Sequence, residues 1–402
     1  MINMYKWFSL LSTRQRSEMV AIVLIMAIIL GAGVVMNLHN EQTTSDIFTT
    51  DMSIQDIAPQ VGVTGKALAR ELKLNLDVPK KRPLKELGIT MGNLEHAIEH
   101  LLSHKDTSIK YYIFTALVFG AVVFLIRLGR PDGIDVKQKQ LWFPRAPYIG
   151  FLLLSIILCG FVLGKSPNPM ESIVKVFKSM VGLYPDPFIK VLAFVFFIVL
   201  AIIGNKAICG WACPFGALQE IIYSFPILRK IKQRKLPFIL TNTIRTLLFL
   251  VMLLFLFGII DGRKGVVIYH YINPFNLFNF DFDSISVLIT VISVLMIAFV
   301  FYRPFCQFIC PFGLASWIAE SFSLCRVIIN EEKCTECGAC IKVCPLHAAK
   351  GRVESKTFPA DCFSCARCLN VCPVDAINYC PIWVKEKTKQ PSGSKSRRFY
   401  PD

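Results

Sequence analysis

Two copies of one cysteine pattern lie in the last quarter of the chain. They are Cys334-x2-Cys337-x2-Cys340-x3-Cys344-Pro345 and Cys362-x2-Cys365-x2-Cys368-x3-Cys372-Pro373. In runs with this spacing, three thiolates hold one [4Fe–4S] cluster and the fourth cysteine reaches across to the other cluster. Zinc sites usually use separated cysteine pairs, and disulfides need an oxidising compartment. The spacing therefore predicts two [4Fe–4S] clusters and one-electron transfer.

A shorter pattern, C-x3-C-P, also occurs twice. One copy contains Cys209, Cys213 and Pro214, and the other contains Cys306, Cys310 and Pro311. Positions i and i+4 lie on one face of a helix, so each pair can present two thiols together. Four thiolates suit a third iron–sulfur cluster or a soft metal, and two pairs suit reversible dithiols. Small buried cysteines at helix ends are the plain alternative, but the duplication favours a redox or metal role.

The composition indicates a membrane protein. Of the 402 residues, 54% are hydrophobic, and mean hydropathy is +0.51. Each of six stretches approaches the roughly 20 apolar residues that cross a hydrocarbon core of about 30 Å. They are residues 19–36, 111–127, 148–164, 187–204, 241–260 and 284–302. The first follows basic residues without a clear cleavage site, so we expect an uncleaved anchor.

The net charge of +16 follows the membrane rather than a polynucleotide. Basic residues crowd the segments between the second and third spans and between the fourth and fifth spans. Lysine and arginine are usually in excess on the cytoplasmic side. The distribution predicts a multi-pass inner-membrane protein with both termini in the cytoplasm, residues 37–110 outside, and no nucleic-acid partner.

The two C-x3-C-P copies suggest an internal duplication. They are 97 residues apart, and Asn168-Pro169 is echoed by Asn273-Pro274. We therefore predict a mostly α polytopic protein of about six transmembrane helices with a two-hairpin repeat, plus a cytoplasmic α+β bacterial-type 2[4Fe–4S] ferredoxin domain. The predicted divisions are an anchor (1–36), a small extracytoplasmic helical domain (37–110), the second span with a basic loop (111–147), repeat one (148–240), repeat two (241–325), the ferredoxin (326–380) and a basic tail (381–402).

A possible quinone site lies before the last span. His270 stands between Tyr269 and Tyr271 in the predicted outer loop. An imidazole that titrates near neutral pH could accept protons from a quinol. Tyrosines are also ordinary anchors at the membrane interface, and both interpretations stay open.

The spans, the paired C-x3-C-P motifs and the ferredoxin runs together resemble the membrane polyferredoxins of the NapH/MauN and NosR type, and the related cbb-type oxidase assembly protein CcoG. The resemblance covers roughly residues 148–380. It implies membrane electron transfer, often between the quinone pool and a respiratory or maturation partner. It also implies one cluster held by Cys334, Cys337, Cys340 and Cys372, and a second held by Cys362, Cys365, Cys368 and Cys344.

The expected function is a membrane-bound iron–sulfur electron-transfer subunit that relays single electrons between quinone or an extracytoplasmic redox partner and the cytoplasmic clusters. No catalytic residue is assigned. One alternative is a reductase that serves copper or thiol maturation of a respiratory enzyme, with the C-x3-C-P cysteines as its site. Another is a membrane redox sensor.

Overall fold

The computed structural model describes residues 48–61, 65–72, 74, 79, 81–103, 108–129, 146–164, 168–181, 187–225, 235–260, 267–280, 285–354 and 360–382. The predicted first span (19–36) lies outside these residues, as does the tail beyond residue 382. The described chain forms two compact units. One contains the residues up to Ile113 together with Lys175–Leu192, and the other contains Phe114–Val174 and the residues from Ala193 onward.

The smaller unit contains short helices around an apolar core. Ile54, Ile57, Ala58 and Val61 recur with the period of a helix, and all four are buried. Gly88 ends the following 3₁₀ helix with a φ of 76°, where a side chain would be strained. The elements are α1 (Ile54–Val61), α2 (Gly65–Glu71), the 3₁₀ helix Leu84–Leu87 and α3 (Met91–Ser103).

Apolar helices dominate the rest of the chain up to residue 320. Three of the described helices are long and apolar enough to cross a membrane: Lys110–Gly129, Pro187–Gly204 and Phe238–Leu256. The apolar segments Pro147–Val162 and Ile285–Ala298 are shorter. Side chains such as Ile239 and Ile285 are 80% and 76% exposed, as expected for helices that face lipid. The elements are α4 (Ser108–Gly129), α5 (Ala146–Ser155), a π helix (Ile156–Val162), α6 (Pro169–Met180), α7 (Pro187–Gly204), a second π helix (Ile208–Ala212), α8 (Pro214–Ser224), α9 (Phe238–Leu256), 3₁₀ helices at Ile268–His270 and Pro274–Asn279, α10 (Ile285–Ala298), α11 (Pro304–Phe308) and α12 (Pro311–Glu320).

The chain reverses direction after α7. Asn205 and Lys206 have φ values of 49° and 61°, which end the helix. The chain then follows α5 towards its far end: the Ala212 carbonyl accepts a hydrogen bond from Ser155 Oγ at 2.6 Å, and a methyl group at Gly160 would stand 3.2 Å from Pro214 Cβ. Helix α8 begins there. Arg303, with a φ of 46°, reverses the chain in the same way after α10.

The ferredoxin region is small and mixed. Strands β1 (Cys325–Ile329) and β2 (Ile377–Pro381) pair antiparallel, with Cys325 opposite Pro381 and Ile329 opposite Ile377. The region contains three short helices: α13 (Ala339–Val343) lies within the first cysteine run, α14 (Ala348–Val353) lies between the runs, and α15 (Arg367–Val371) lies within the second run. Helices α13 and α15 pack together, so the two runs lie side by side.

Candidate iron–sulfur centres

Each ferredoxin run folds into the same loop. Glu336 and Gly338 in the first run have φ values of 54° and 68°, and Ser364 and Ala366 in the second have 51° and 60°. When residues with left-handed backbone alternate with residues of ordinary backbone, successive N–H groups point towards one place. Such arrangements, called nests, bind anions and occur at many iron–sulfur sites. Cys344 and Cys372 cap the helix at the end of each run with extended backbone, immediately before Pro345 and Pro373.

The two runs enclose two cavities. Cavity A is lined by Cys334, Cys337, Cys340 and Cys372. Cavity B is lined by Cys344, Cys362, Cys365 and Cys368, and Cys340 borders it as well. Each cavity is therefore bordered by three cysteines of one run and the last cysteine of the other.

The two cavities differ in their surroundings. Cys337 on cavity A is exposed, and so are the neighbouring residues Thr335 and Glu336. On cavity B, Phe363 and Ser364 are buried between Cys362 and Cys365. The loop that borders cavity A therefore faces solvent, whereas the loop that borders cavity B packs inside the protein.

The structure brings the four C-x3-C-P cysteines together at a third place, which we name the four-cysteine site. Cys209 lies in the second π helix and Cys306 in α11, and both are 7% exposed. Cys213 and Cys310 cap α8 and α12, each followed by a proline. All six pairs among these thiols are close enough for electrostatic interaction. A π helix is rare and frequently marks a functional position.

The two halves of the four-cysteine site make matching contacts. Gln219 Nε2 donates a hydrogen bond to Cys306 Sγ at 3.6 Å, and Ser316, 97 residues further along, is hydrogen-bonded to the Cys209 thiol. A methyl group at Gly216 would stand 2.7 Å from the Cys209 carbonyl oxygen, and one at Gly313 would stand 2.7 Å from that of Cys306. Glycine is thus required for the close approach at both positions.

Buried cations surround the four-cysteine site. Lys206 and Arg303 are both fully buried. Lys206 Nζ donates to the Gly313 carbonyl at 3.3 Å, and Arg303 donates to the carbonyls of Cys209 and Gly210. Arg245, from α9, donates to the Cys306 carbonyl at 3.1 Å. These three cations share only two buried carboxylates, Asp361 and Glu220, so the remaining positive charge favours a negatively charged group between the thiols.

Acidic side chains pair with these cations. Asp361 lies 2.5 Å from Lys206 and 3.1 Å from Arg245. Burial alone would raise the pKa of Asp361, but the two cations outweigh it and hold the pKa below its usual range. Glu220 lies 3.0 Å from Arg303 and 2.5 Å from Arg367.

Glu320 completes the polar layer next to cavity B. Its carboxylate accepts hydrogen bonds from the Cys362 amide at 3.1 Å and from Arg352 at 2.8 Å. Burial raises the pKa of Glu320 to about 7 in spite of the Arg352 guanidinium. The ligand-bearing loop is thus fixed by backbone as well as side-chain hydrogen bonds.

Sequence reasoning missed these charged residues. Lys206 and Arg303 are 97 residues apart, and each stands three residues before a C-x3-C pair, so the offset between the two motif copies carried the signal. Arg245 in an otherwise apolar helix was a second signal, because ionisable residues within spans are usually functional. Asp361 and Glu220 carried no such signal, because only tertiary packing supplies their partners.

The three residues of the predicted quinone site differ in burial. Tyr269 is buried, and its hydroxyl donates to the Ile309 carbonyl at 3.0 Å, one residue from Cys310. His270 and Tyr271 are exposed. The segment therefore touches the four-cysteine site with one ring and presents the other two side chains outward.

All fifteen cysteines lie within the described residues, and all are free of disulfides. Among the described residues, no three His, Cys, Asp or Glu side chains converge closely enough to hold a single metal ion.

Comparisons with known proteins agree with this chemistry. The family described as 4Fe-4S binding domain, Fer4_5, matches residues 187–235 and 284–323, which contain the four-cysteine site. A second family of the same description, Fer4, matches residues 327–350. No solved structure matches.

Several relatives align with part of the chain. Uncharacterized protein MJ0749 of Methanocaldococcus jannaschii is 28% identical over 37% of this chain and 55% of its own length. Putative electron transport protein YccM of Escherichia coli is 30% identical over 38% of this chain and 45% of its own. Ferredoxin-type protein NapH of Haemophilus influenzae is 27% identical over 51% of this chain and 66% of its own.

The chain thus spans about half to two thirds of the relatives it matches. Others carry the names regulatory protein NosR and methylamine utilization ferredoxin-type protein MauN. The cysteine quartets and the two family matches indicate an iron–sulfur protein, and several of its relatives carry the names of electron-transport or ferredoxin-type proteins. The predicted resemblance to the NapH/MauN/NosR-type polyferredoxins is confirmed.

Proposed function

We propose that the protein is a multi-pass membrane relay that carries single electrons between a quinone or an extracytoplasmic redox partner and [4Fe–4S] clusters at the cytoplasmic face. The observation that carries the proposal is the presence of three separate cysteine quartets, two in the ferredoxin region and one among the apolar helices. When bound, the clusters supply one-electron chemistry, and the protein supplies position and potential.

Under this proposal, cavity A holds one cluster through Cys334, Cys337, Cys340 and Cys372. Cavity B holds a second through Cys344, Cys362, Cys365 and Cys368. The lining of the two cavities and the inward-turned backbone of both loops support these ligand sets.

The four-cysteine site is proposed to hold a third cluster, shared between two duplicated hairpins. The 97-residue offset, the matching glycine contacts and the match of one family to both segments support the duplication. The buried cations support an anionic occupant. Burial of Cys209 and Cys306 does not favour a dithiol, because reactive cysteines usually lie in partly exposed places.

Membrane placement follows from the apolar helices and the charge distribution. We propose six spans, with the ferredoxin in the cytoplasm and residues 37–110 outside. The quinone end is proposed at Tyr269, His270 and Tyr271, since Tyr269 contacts the residue before Cys310.

Anaerobic purification with iron and sulfide analysis tests the proposal. Three clusters predict about twelve irons per chain, and the ferredoxin alone predicts about eight. Addition of a quinol should then reduce the clusters, as monitored by EPR, and His270→Ala should slow that reduction. An iron count near eight would contradict the third cluster. Failure of a quinol to reduce the clusters would contradict electron transfer from quinone.

A further inference from the structure

The loop between Cys362 and Cys365 packs against the turn that carries Cys209, and we call this packed contact the seat. Ser364 Oγ donates to the Asn205 carbonyl at 2.7 Å, and Trp211 Nε1 donates to the Ser364 carbonyl at 3.0 Å. Three residues of the turn and loop are therefore joined by hydrogen bonds, and all three are buried. The seat is a built interface within one compact unit.

Phe363 is the centre of this seat. Its carbonyl lies so close to Gly210 that a methyl group there would overlap with it. Its ring has Lys206 Nζ at 5.0 Å and Arg303 Cζ at 5.2 Å from the ring centre, so the two cations at the 97-residue offset both face it. The same cations flank the four-cysteine site.

The contact gives a short route between the two sites, which follows the chain on each side and crosses a single van der Waals gap. Gly210 directly follows Cys209, and Phe363 directly follows Cys362. Only two residues and one van der Waals contact separate a thiol of the four-cysteine site from a thiol of cavity B. Electron tunnelling weakens steeply with distance, so a route of this kind favours exchange between these two sites.

Cavity A has no comparable seat in the described structure. The residues at the corresponding place in the first run, Thr335 and Glu336, are exposed, and so is Cys337. The two ferredoxin cavities are therefore not equivalent. One adjoins the four-cysteine site, and the other adjoins solvent.

We propose that the Phe363–Gly210 contact is the electronic junction between the four-cysteine site and the ferredoxin, which makes cavity B the inner terminal and cavity A the outer terminal for a soluble-side partner. This rests on the proposed clusters. The step moves one electron from a reduced centre to an oxidised one, and no bond or proton changes place. Phe363 is a positioning residue, since it binds no cluster itself.

Spin coupling between centres tests the order. In the reduced protein, the EPR signal of the four-cysteine site should be broadened by the nearest paramagnetic centre. Cys368→Ser, which removes a ligand from cavity B, should sharpen that signal, whereas Cys337→Ser in cavity A should leave it broad. Equal sharpening in both variants, or sharpening only in Cys337→Ser, overturns the proposal.

A milder variant keeps all ligands. Gly210→Ala should retain the wild-type iron content but slow, several-fold, reduction of the four-cysteine site by a soluble one-electron reductant such as reduced methyl viologen, because the new methyl group overlaps with the Phe363 carbonyl and forces the contact apart. Gly150→Ala, which has open space around the new methyl group, is the matched control and should react at the wild-type rate. An unchanged rate in Gly210→Ala overturns the junction.

Iron content separates this inference from the proposed function. A wild-type count near eight with no third EPR signal rejects the third cluster, and the junction falls with it. A count near twelve with the wrong coupling pattern rejects the junction alone.

Discussion

The ferredoxin cavities and the four-cysteine site are both cysteine quartets, but they are assembled differently. In the ferredoxin, six of the eight cysteines arrive as local triplets on loops whose backbone already points inward. In the four-cysteine site, each half brings two thiols, and neither half is complete without the other. Local spacing therefore specifies the first kind of site, whereas tertiary structure specifies the second.

The charge around the two regions differs as well. Cavity A is near solvent, which can screen the charge of a cluster. In the four-cysteine site Cys209 and Cys306 are buried, and the buried cations Lys206, Arg245 and Arg303 lie beside them instead. A buried anionic centre needs such fixed cations, since removal from water is otherwise costly.

The largest expected effect is the selective loss of one centre. Cys209→Ser combined with Cys306→Ser should lower iron from about twelve to about eight per chain, with the ferredoxin EPR signals retained. Cys380→Ser is the control, because Cys380 lies on β2 and does not line either cavity. If the double variant keeps its full iron content, the comparison between the two kinds of quartet fails.

The second-largest expected effect is the fall in unfolding free energy when the Glu220 charge is removed. Glu220→Gln leaves Arg303 and Arg367 without their carboxylate, and breaking a buried pair costs about 3–5 kcal/mol of unfolding free energy. Thermal unfolding in detergent measures the effect. Glu332→Gln, at an exposed position, should lie within about 0.5 kcal/mol of wild type. Similar stabilities for the two variants would contradict this role.

The same pair predicts a pH dependence. Burial would raise the pKa of Glu220, but Arg367 and Arg303 hold it below its ordinary value. The folded pKa is thus lower than the unfolded one. The stabilisation is present above the unfolded pKa and is lost as pH falls through the folded pKa. Acid titration of wild type against Glu220→Gln should make their stabilities converge, and a constant difference would contradict the assignment.

The paired glycines should show a smaller effect of equal size in the two halves. Gly216→Ala and Gly313→Ala each place a methyl group 2.7 Å from a cysteine carbonyl oxygen, and such overpacking costs about 1–3 kcal/mol. Gly150→Ala has open space around the new methyl group and serves as the control. Markedly unequal costs would argue against a symmetric site.

The smallest expected effect is a shift of potential. Lys206→Gln removes one of the cations beside the four-cysteine site, so its reduction potential should fall by about 60 mV, a tenfold change in a one-electron equilibrium. Lys206→Arg should restore most of the potential. A redox titration followed by EPR measures both, and unchanged potentials in Lys206→Gln would show that the lysine acts only on structure.

The sequence predicted local motifs better than contacts between distant segments of the chain. The cysteine runs specified two adjacent loops, because three ligands and the turn residues are contiguous. The C-x3-C-P copies predicted that four thiols would meet, and the structure places them together. The chain reversals that precede Cys209 and Cys306 were not predicted, since they depend on left-handed backbone at Lys206 and Arg303. Phe363 was also missed, because its contacts with Gly210 and Lys206 lie more than 150 residues away along the chain.

The reversal at Asn205 and Lys206 has a consequence for biogenesis. Both side chains are buried, yet their acidic and hydroxyl partners, Asp361 and Ser364, leave the ribosome about 155 residues later. Until then the chain lacks two of the partners on which burial of these polar side chains depends. The contacts of the reversal are therefore completed only when the loop that contains Asp361 and Ser364 has been synthesised.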